Sequence, residues 1–410
     1  VYFTQRICGI CSMAHGVTAA NLVRRIYGVT VSKEVSILQQ ALLGAEFLQN
    51  HIRHFYLLVL PDYLDSQFLT ASYSKKMTSR FSPDAQQHLA EHYYLAMDYS
   101  AKCHEMLAIY GGKIPHQHGL VAEGITLPPN AGNRLQFLSL LAEVRGFIRE
   151  IMLPDIYLLA ETYPDYLEIG TGAARFISFG LFDPRFGGHF PAGIIENHTL
   201  HPVLPEEIHE SIAHAWYRQV DPSQVLPAPE KASAYTWVKA PRYNGLSFEG
   251  GPLARKAIRA YPQPLLKVGT MARLIARAEE ADQIAGWIAK WMNDLPEQGK
   301  YIQELKTPQQ QEAVQINDAP RGPLLHRMTA NNEDIASYDI ITPTTWNFSP
   351  KDETGLRGPV EEALVGTEIV NPEDPVEIGR IVRAFDPCLS CATHLIDLEG
   401  KQGVQVEITT

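Results

Sequence analysis

Four cysteines in two pairs are the residues best equipped to do chemistry in this 410-residue chain. Arg6-Ile7-Cys8-Gly9-Ile10-Cys11 is followed by His15, and Asp386-Pro387-Cys388-Leu389-Ser390-Cys391 by His394. A Cys-x-x-Cys pair brings two thiolates within reach of one ion, and two pairs complete a four-sulfur site. Nearly the whole chain lies between Cys11 and Cys388, so such a site ties its two ends together. Spacing does not name the metal: it serves a structural zinc as well as nickel, copper(I) or an iron–sulfur cluster. Cys103 falls inside a helical pattern and reads as a small buried hydrophobe. Five cysteines in so long a chain make no disulfide framework.

The flanks narrow the choice. RxCGxCxxxH near the start and DPCxxCxxH near the end resemble the paired signatures of the large, catalytic subunit of nickel–iron hydrogenases. The resemblance continues through Tyr235–Gly245, Gly251–Arg255, Asp318–Gly322, Pro343–Asn347 and Gly358–Thr367, in the family's order and over almost the whole chain. The wording of the Trp237–Arg242 and Pro343–Asn347 stretches is closer to the uptake type than to the cofactor-reducing types.

That resemblance implies a nickel–iron centre whose iron carries carbon monoxide and cyanide, and reversible heterolytic cleavage of H2. Cys8 and Cys388 would be terminal nickel ligands, Cys11 and Cys391 bridges to iron, and Cys388 the proton acceptor. Arg321, after Pro320, would reach over the centre with its planar, permanently charged fork. Asp386 would orient Arg321, and Thr344 would donate to a cyanide. Asn50 stands where the family commonly has an aspartate, which leaves Arg321 with Asp386 as its anionic partner. His394 would bind a magnesium-type ion, whereas His15 would donate a hydrogen bond to a cysteine sulfur. His116 and His118, in a Gly/Pro-flanked loop, are read as structural. No cysteines remain for an iron–sulfur relay, so electrons must leave through a separate iron–sulfur small subunit, the pair assembling into a higher oligomer.

Around these residues the chain must supply rigid elements. Apolar positions at Val35, Leu38, Leu42, Ala45, Leu48, Ile52 and Phe55 mark one face of a helix that Pro61 ends or kinks. Ser82 as N-cap, Pro83 and Gly111 punctuate a second. Further helices are expected near 131–160 (interrupted at Pro154), 206–219, 270–293 and 375–384. Dense Gly, Pro and aromatic residues between about 163 and 268 predict short strands and loops. The expected fold is mainly α with small β portions (α+β), a long-helix bundle with peripheral short strands forming one domain over 1–410.

A net charge of −11 without a basic run disfavours nucleic acid and anionic membrane surfaces as partners. The strongest apolar run, Phe55–Leu60, is too short to cross a bilayer. There is no GxGxxG or Walker-type loop for a nucleotide. With no signal or spanning segment to read, a periplasmic, membrane-associated place would come through the partner subunit, with a cytoplasmic place as the alternative. The family's N-terminal strands, with their proton-relaying glutamate and a glutamate that binds the magnesium-type ion, are expected to be missing ahead of Val1. Leu395 to Thr410, after His394, alternate Val404, Val406 and Ile408 as a strand would, and are expected to stay attached. The main alternative is an H2-sensing regulatory subunit, against which the tail argues. A non-catalytic scaffold like the complex I relative is disfavoured because all four cysteines are present.

Overall fold

Where apolar residues recur at three- and four-residue steps over long stretches, the computed structural model of the chain has long helices. The structure describes residues 1–388 except 74–77, 222–223, 266, 297 and 332–333. In chain order the helices are α1 (Ser12–Tyr27), α2 (Lys33–Arg53), α3 (Pro83–Gly111), α4 (Ala131–Phe147), α5 (Leu153–Thr162), α6 (Pro252–Ala260), α7 (Thr270–Asn293), α8 (Pro343–Asn347), α9 (Pro359–Leu364) and α10 (Val376–Ala384). Buried side chains of α1 to α4 and α7 meet in the largest apolar core. Cys103 is part of it, fully buried, with its thiol pushed well up by burial.

Short strands pack around the helices. β1 (Leu120–Val121) and β2 (Gly124–Ile125) form a small ribbon, and β3 (Phe176–Leu181), β4 (Phe190–Glu196) and β5 (Thr199–His201) an antiparallel meander. Next come β6 (Ile208–Ser211), β7 (Tyr217–Asp221), β8 (Gln224–Pro227) and β9 (Ala240–Tyr243), paired β6 with β9 and β7 with β8. β10 (Glu312–Ala319), β11 (Gly322–Asn331) and β12 (Asp334–Ile341) make a second antiparallel sheet. The α+β class expected from the pattern is the one observed.

Punctuation residues act where expected, with local shifts. Ser82 caps α3 by accepting from the Ala85 N–H at 3.3 Å, and Pro83 opens it. The helix runs one residue past the expected end, closing at Gly112, whose φ of +75° suits glycine. Pro61 sits in a short 3-10 turn, after α2 has continued through a π-turn at His54–Val59. Pro154 does not interrupt its helix. A π-turn at Ile148–Met152 precedes it, and the widened register absorbs the missing proline N–H.

The expected helix at 206–219 is wrong. That stretch forms a 3-10 turn at Pro205–Glu207, then β6 and part of β7. Ile208 pairs with Tyr243 and joins a small core with Phe248, while Trp216 packs on Trp237. These partners come from distant sequence, and their burial outweighs local helical preference.

Candidate metal centre

The first cysteine pair is placed by a turn and a helix start. Thr4–Ile7 is a 3-10 turn, Cys8 is extended, and Cys11 is the N-cap residue of α1. Glu46 on α2 fixes that start: its two carboxylate oxygens accept from the Met13 and Ala14 N–H groups at 2.6 and 2.8 Å. Burial pushes the Glu46 carboxyl up to about 8, against the pull of those two bonds and of Arg321. Sequence reading missed Glu46; its one signal is the four-residue step to Asn50, which puts both on one face of α2.

The second pair follows α10. Asp386 takes a left-handed φ of +56°, which turns the chain toward the cavity, and the Cys388 N–H donates to Thr344 Oγ1 at 3.2 Å. Cys8 Sγ and Cys388 Sγ are 3.8 Å apart. A disulfide is about 2 Å long. Two thiolates bound tetrahedrally to one metal at about 2.3 Å would lie about 3.8 Å apart. Cys8, Cys11, His15, Pro320, Arg321, Thr344 and Cys388 line one cavity of about 170 Å³. The neighbouring Cys11 thiol and burial push the Cys8 thiol up to about 11, against the pull of Cys388 and Arg321. Cys391 and His394, with the tail from 395 to 410, lie outside the described residues.

Arg321 comes from a hairpin tip. Ala319 pairs with Gly322 across β10 and β11, leaving Pro320 and Arg321 as the turn. Gly322 has φ +131°, and a Cβ there would lie 2.8 Å from the Gly251 nitrogen, so only glycine fits. The interior motifs hold this tip. Arg255 donates to the Pro320 and Ala319 carbonyls at 3.0 and 3.3 Å and pairs with Asp318 and Glu280 at 3.0 and 2.7 Å. Asn347 clamps both backbone groups of Gly250, at 3.0 and 3.1 Å.

Around Arg321 the charges are few and buried. Its Nε donates to Asp386 Oδ1 at 3.0 Å, while one terminal nitrogen, Nη1, is buried without a hydrogen-bond partner among the described residues. Asp386 Oδ2 accepts from Asn50 Nδ2 at 2.8 Å and lies 3.5 Å from Arg277. Burial alone would raise the Asp386 carboxyl; Arg321, with His54 and Arg277, holds it well below its ordinary range. Burial would lower Arg321, but Asp386 and the three cysteines hold it above its ordinary range. Arg277 was not foreseen. The signal was the 273, 277, 280 spacing of charged residues on the buried face of α7.

His15 Nδ1 lies 3.1 Å from His326 Nε2, and burial lowers His15 to about 4. His116 Nδ1 bonds the Gln5 carbonyl at 3.0 Å, and no metal-ligating cluster gathers there among the described residues. Glu280 is shared by Arg255 and His51, at 2.7 and 2.9 Å. Burial favours its neutral form, but Arg255 and His51 bring it down to about 2. A depressed carboxylate gives stability that is complete above its ordinary 4.5 and is lost as pH falls toward 2. Glu280→Gln should therefore remove roughly 3 kcal/mol of the pH dependence of stability in that window. Denaturant titrations between pH 5 and 2 measure it; an unchanged slope would refute the assignment.

Fold and site together define an α+β protein with a small cavity lined by three cysteines from the two ends of the chain. The sequence pattern of the nickel-dependent hydrogenase family matches residues 1–69, 65–267 and 260–394. The periplasmic [NiFeSe] hydrogenase large subunit of Desulfomicrobium baculatum is 32% identical over 96% of this chain and 85% of its own length. The uptake hydrogenase large subunit of Rhizobium leguminosarum bv. viciae is 26% identical over 99% of this chain and 88% of its own. The Ni-Fe-Se hydrogenase of D. vulgaris Hildenborough in its as-isolated oxidised state superposes with a TM-score of 0.88 at 30% identity, over 95% of this chain and 88% of that one. The chain belongs to the nickel-dependent hydrogenase family, and its likeness to large subunits runs the length of the described fold. Among the described residues no helix is long and apolar enough to cross a membrane.

Proposed function

We propose that Cys8, Cys11, Cys388 and Cys391 hold a nickel–iron centre and that this subunit splits H2 heterolytically and reversibly. The observation that carries the reading is the meeting of Cys8 and Cys11 with Cys388 in one small cavity beside a buried guanidinium that is incompletely satisfied among the described residues. When bound, such a centre supplies soft metals that polarise H2 and take up its electrons. Cys388 Sγ receives the proton; its side chain is partly exposed, whereas Cys8 and Cys11 are buried, and this supports it as the sulfur that can pass a proton on. Asp386 aims Arg321, and Glu46 holds the turn that carries Cys11.

Carbon monoxide and cyanide on the iron suit the polar groups available. Among the described residues Arg321 Nη1 is an unused donor. The Thr344 hydroxyl accepts from Cys388 and keeps its own proton to give. All four motif positions are cysteines, although some relatives are named for selenium. A magnesium-type ion at His394 completes the proposed metal set.

The partner is a small subunit carrying iron–sulfur clusters, and the pair assembles further. With Cys103 sealed in the core, this chain has no cysteine left for a relay. Elemental analysis of active, natively assembled protein is expected to return nickel and iron in equal amounts; zinc alone would sink the reading. The metal-loaded subunit separated from its partner is expected to reduce dyes at a small fraction of the assembled rate. Full turnover by the isolated chain would count decisively against a relay partner.

A further inference from the structure

His15 belongs to a hydrogen-bonded chain that leads from the cavity toward the surface. Its Nδ1 faces His326 Nε2 at 3.1 Å, and His326 Nδ1 faces the Tyr338 hydroxyl at 2.8 Å. His15 and His326 are 1% and 0% exposed, while Tyr338 on β12 is half-buried. The Tyr338 ring packs on the small core of Leu22, Ile26 and Met328. Helix α1, which bears His15, thus also holds the far end of the chain.

Burial keeps both imidazoles neutral, and two imidazoliums meeting nitrogen to nitrogen would repel. Each ring then carries one N–H, and the phenol one O–H. Such a chain has two complete bonding patterns. In the first, Tyr338 O–H donates to His326 Nδ1, His326 Nε2–H donates to His15 Nδ1, and His15 carries its proton on Nε2. In the second, every bond is reversed and His15 Nε2 is a bare lone pair. A phenol is a stronger donor than a neutral imidazole, which favours the first. So does a cavity lined by anionic sulfur, which attracts an N–H and repels a lone pair.

We propose that Tyr338, acting through His326, sets the tautomer of His15 so that it presents an N–H to the sulfur-lined cavity. Tyr338 and His326 are positioning residues, and their role rests on the thiolate-bound centre proposed above. Partners that fix a histidine beside a metal site are typically worth 10–100-fold in affinity or activity. A cysteine sulfur that accepts this hydrogen bond would lose electron density to it, and a metal held there would donate less to carbon monoxide or cyanide bound to it.

Two measurements on the assembled enzyme test this. The 15N spectrum of histidine-labelled protein should show His15 and His326 both protonated on Nε2. Tyr338→Phe, which keeps the packed ring, should add the Nδ1-protonated form. Tyr338→Phe and His326→Leu should each shift the carbon monoxide and cyanide infrared bands and lower turnover about tenfold. His326→Gln should recover wild-type bands, because its amide can donate from the position of Nε2, and should do so with Phe at 338 as well. A loss of packing alone would not be rescued in that way. His15 protonated on Nδ1 in the wild type, or Tyr338→Phe with unchanged tautomers and bands, would overturn the proposal. If the wild type lacks such bands, the reading of the iron's ligands has failed, and the ring 15N signals still decide the tautomer chain.

Discussion

Arg321→Lys is expected to leave nickel and iron in place while lowering H2 turnover by roughly a hundredfold, the loss typical of removing one preorganised electrostatic donor. Nε is committed to Asp386 at 3.0 Å, and Nη1 has no partner among the described residues and is buried at the edge of the cysteine cavity. One planar fork thus anchors itself with one nitrogen and offers another. A lysine ammonium can satisfy Asp386 or reach the cavity, without rigidity to do both. The hairpin tip should survive, since Gly322, Arg255 and the β10–β11 pairing hold it independently of the 321 side chain. Infrared bands and metal content, measured beside turnover, separate the outcomes. Normal turnover with intact bands removes Arg321 from the mechanism, and loss of the metals makes it a structural residue.

Asp386→Asn is expected to cost about 3–5 kcal/mol of stability, the usual penalty for leaving a buried charge without its partner. Asp386 is 1% exposed and is the carboxylate paired with both Arg321 and Arg277. Asparagine tolerates the left-handed φ of +56°, so the substitution tests charge rather than backbone. The double variant Asp386→Asn, Asn50→Asp moves the carboxylate across the 2.8 Å contact and should recover part of the stability. Turnover should stay low, because the charge no longer meets Arg321 Nε. Chemical denaturation of the single and double variants decides it: an Asp386→Asn protein as stable as the wild type would show that the two arginines do not depend on this carboxylate.

Much of the site was legible because its chemistry is carried by residue types with fixed spacing. The Cys-x-x-Cys pairs, Arg321 at a Pro-Arg-Gly turn and Asp386 two residues before Cys388 can all be read along the chain. Reading stopped where an interaction joins residues without a shared local pattern. Asn50 was expected near the arginine as an uncharged replacement for an anion; in the structure it donates to Asp386, the carboxylate that Arg321 also holds, a contact 336 residues apart along the chain. His15 lines the cysteine cavity, as a residue meant to face a sulfur would, but the His326 that meets its Nδ1 lies 311 residues away and shares no local pattern with it.

The sequence by itself determined the helices α2 and α7, and α3 with its Ser82, Pro83 and glycine punctuation, because 3.6-residue periodicity and capping act within a few residues. It also determined which residue types were available to bind metal. The tertiary structure decided the rest. It turned 208–211 into a strand by offering Tyr243 and its neighbours as pairing partners. It gathered Arg255, Glu280, Asp318 and Asn347 behind one hairpin tip, and set Glu46 against the first turn of α1. The physical reason is range: backbone preference and capping are local, whereas burial and ion pairing depend on which surfaces the packed chain brings into contact.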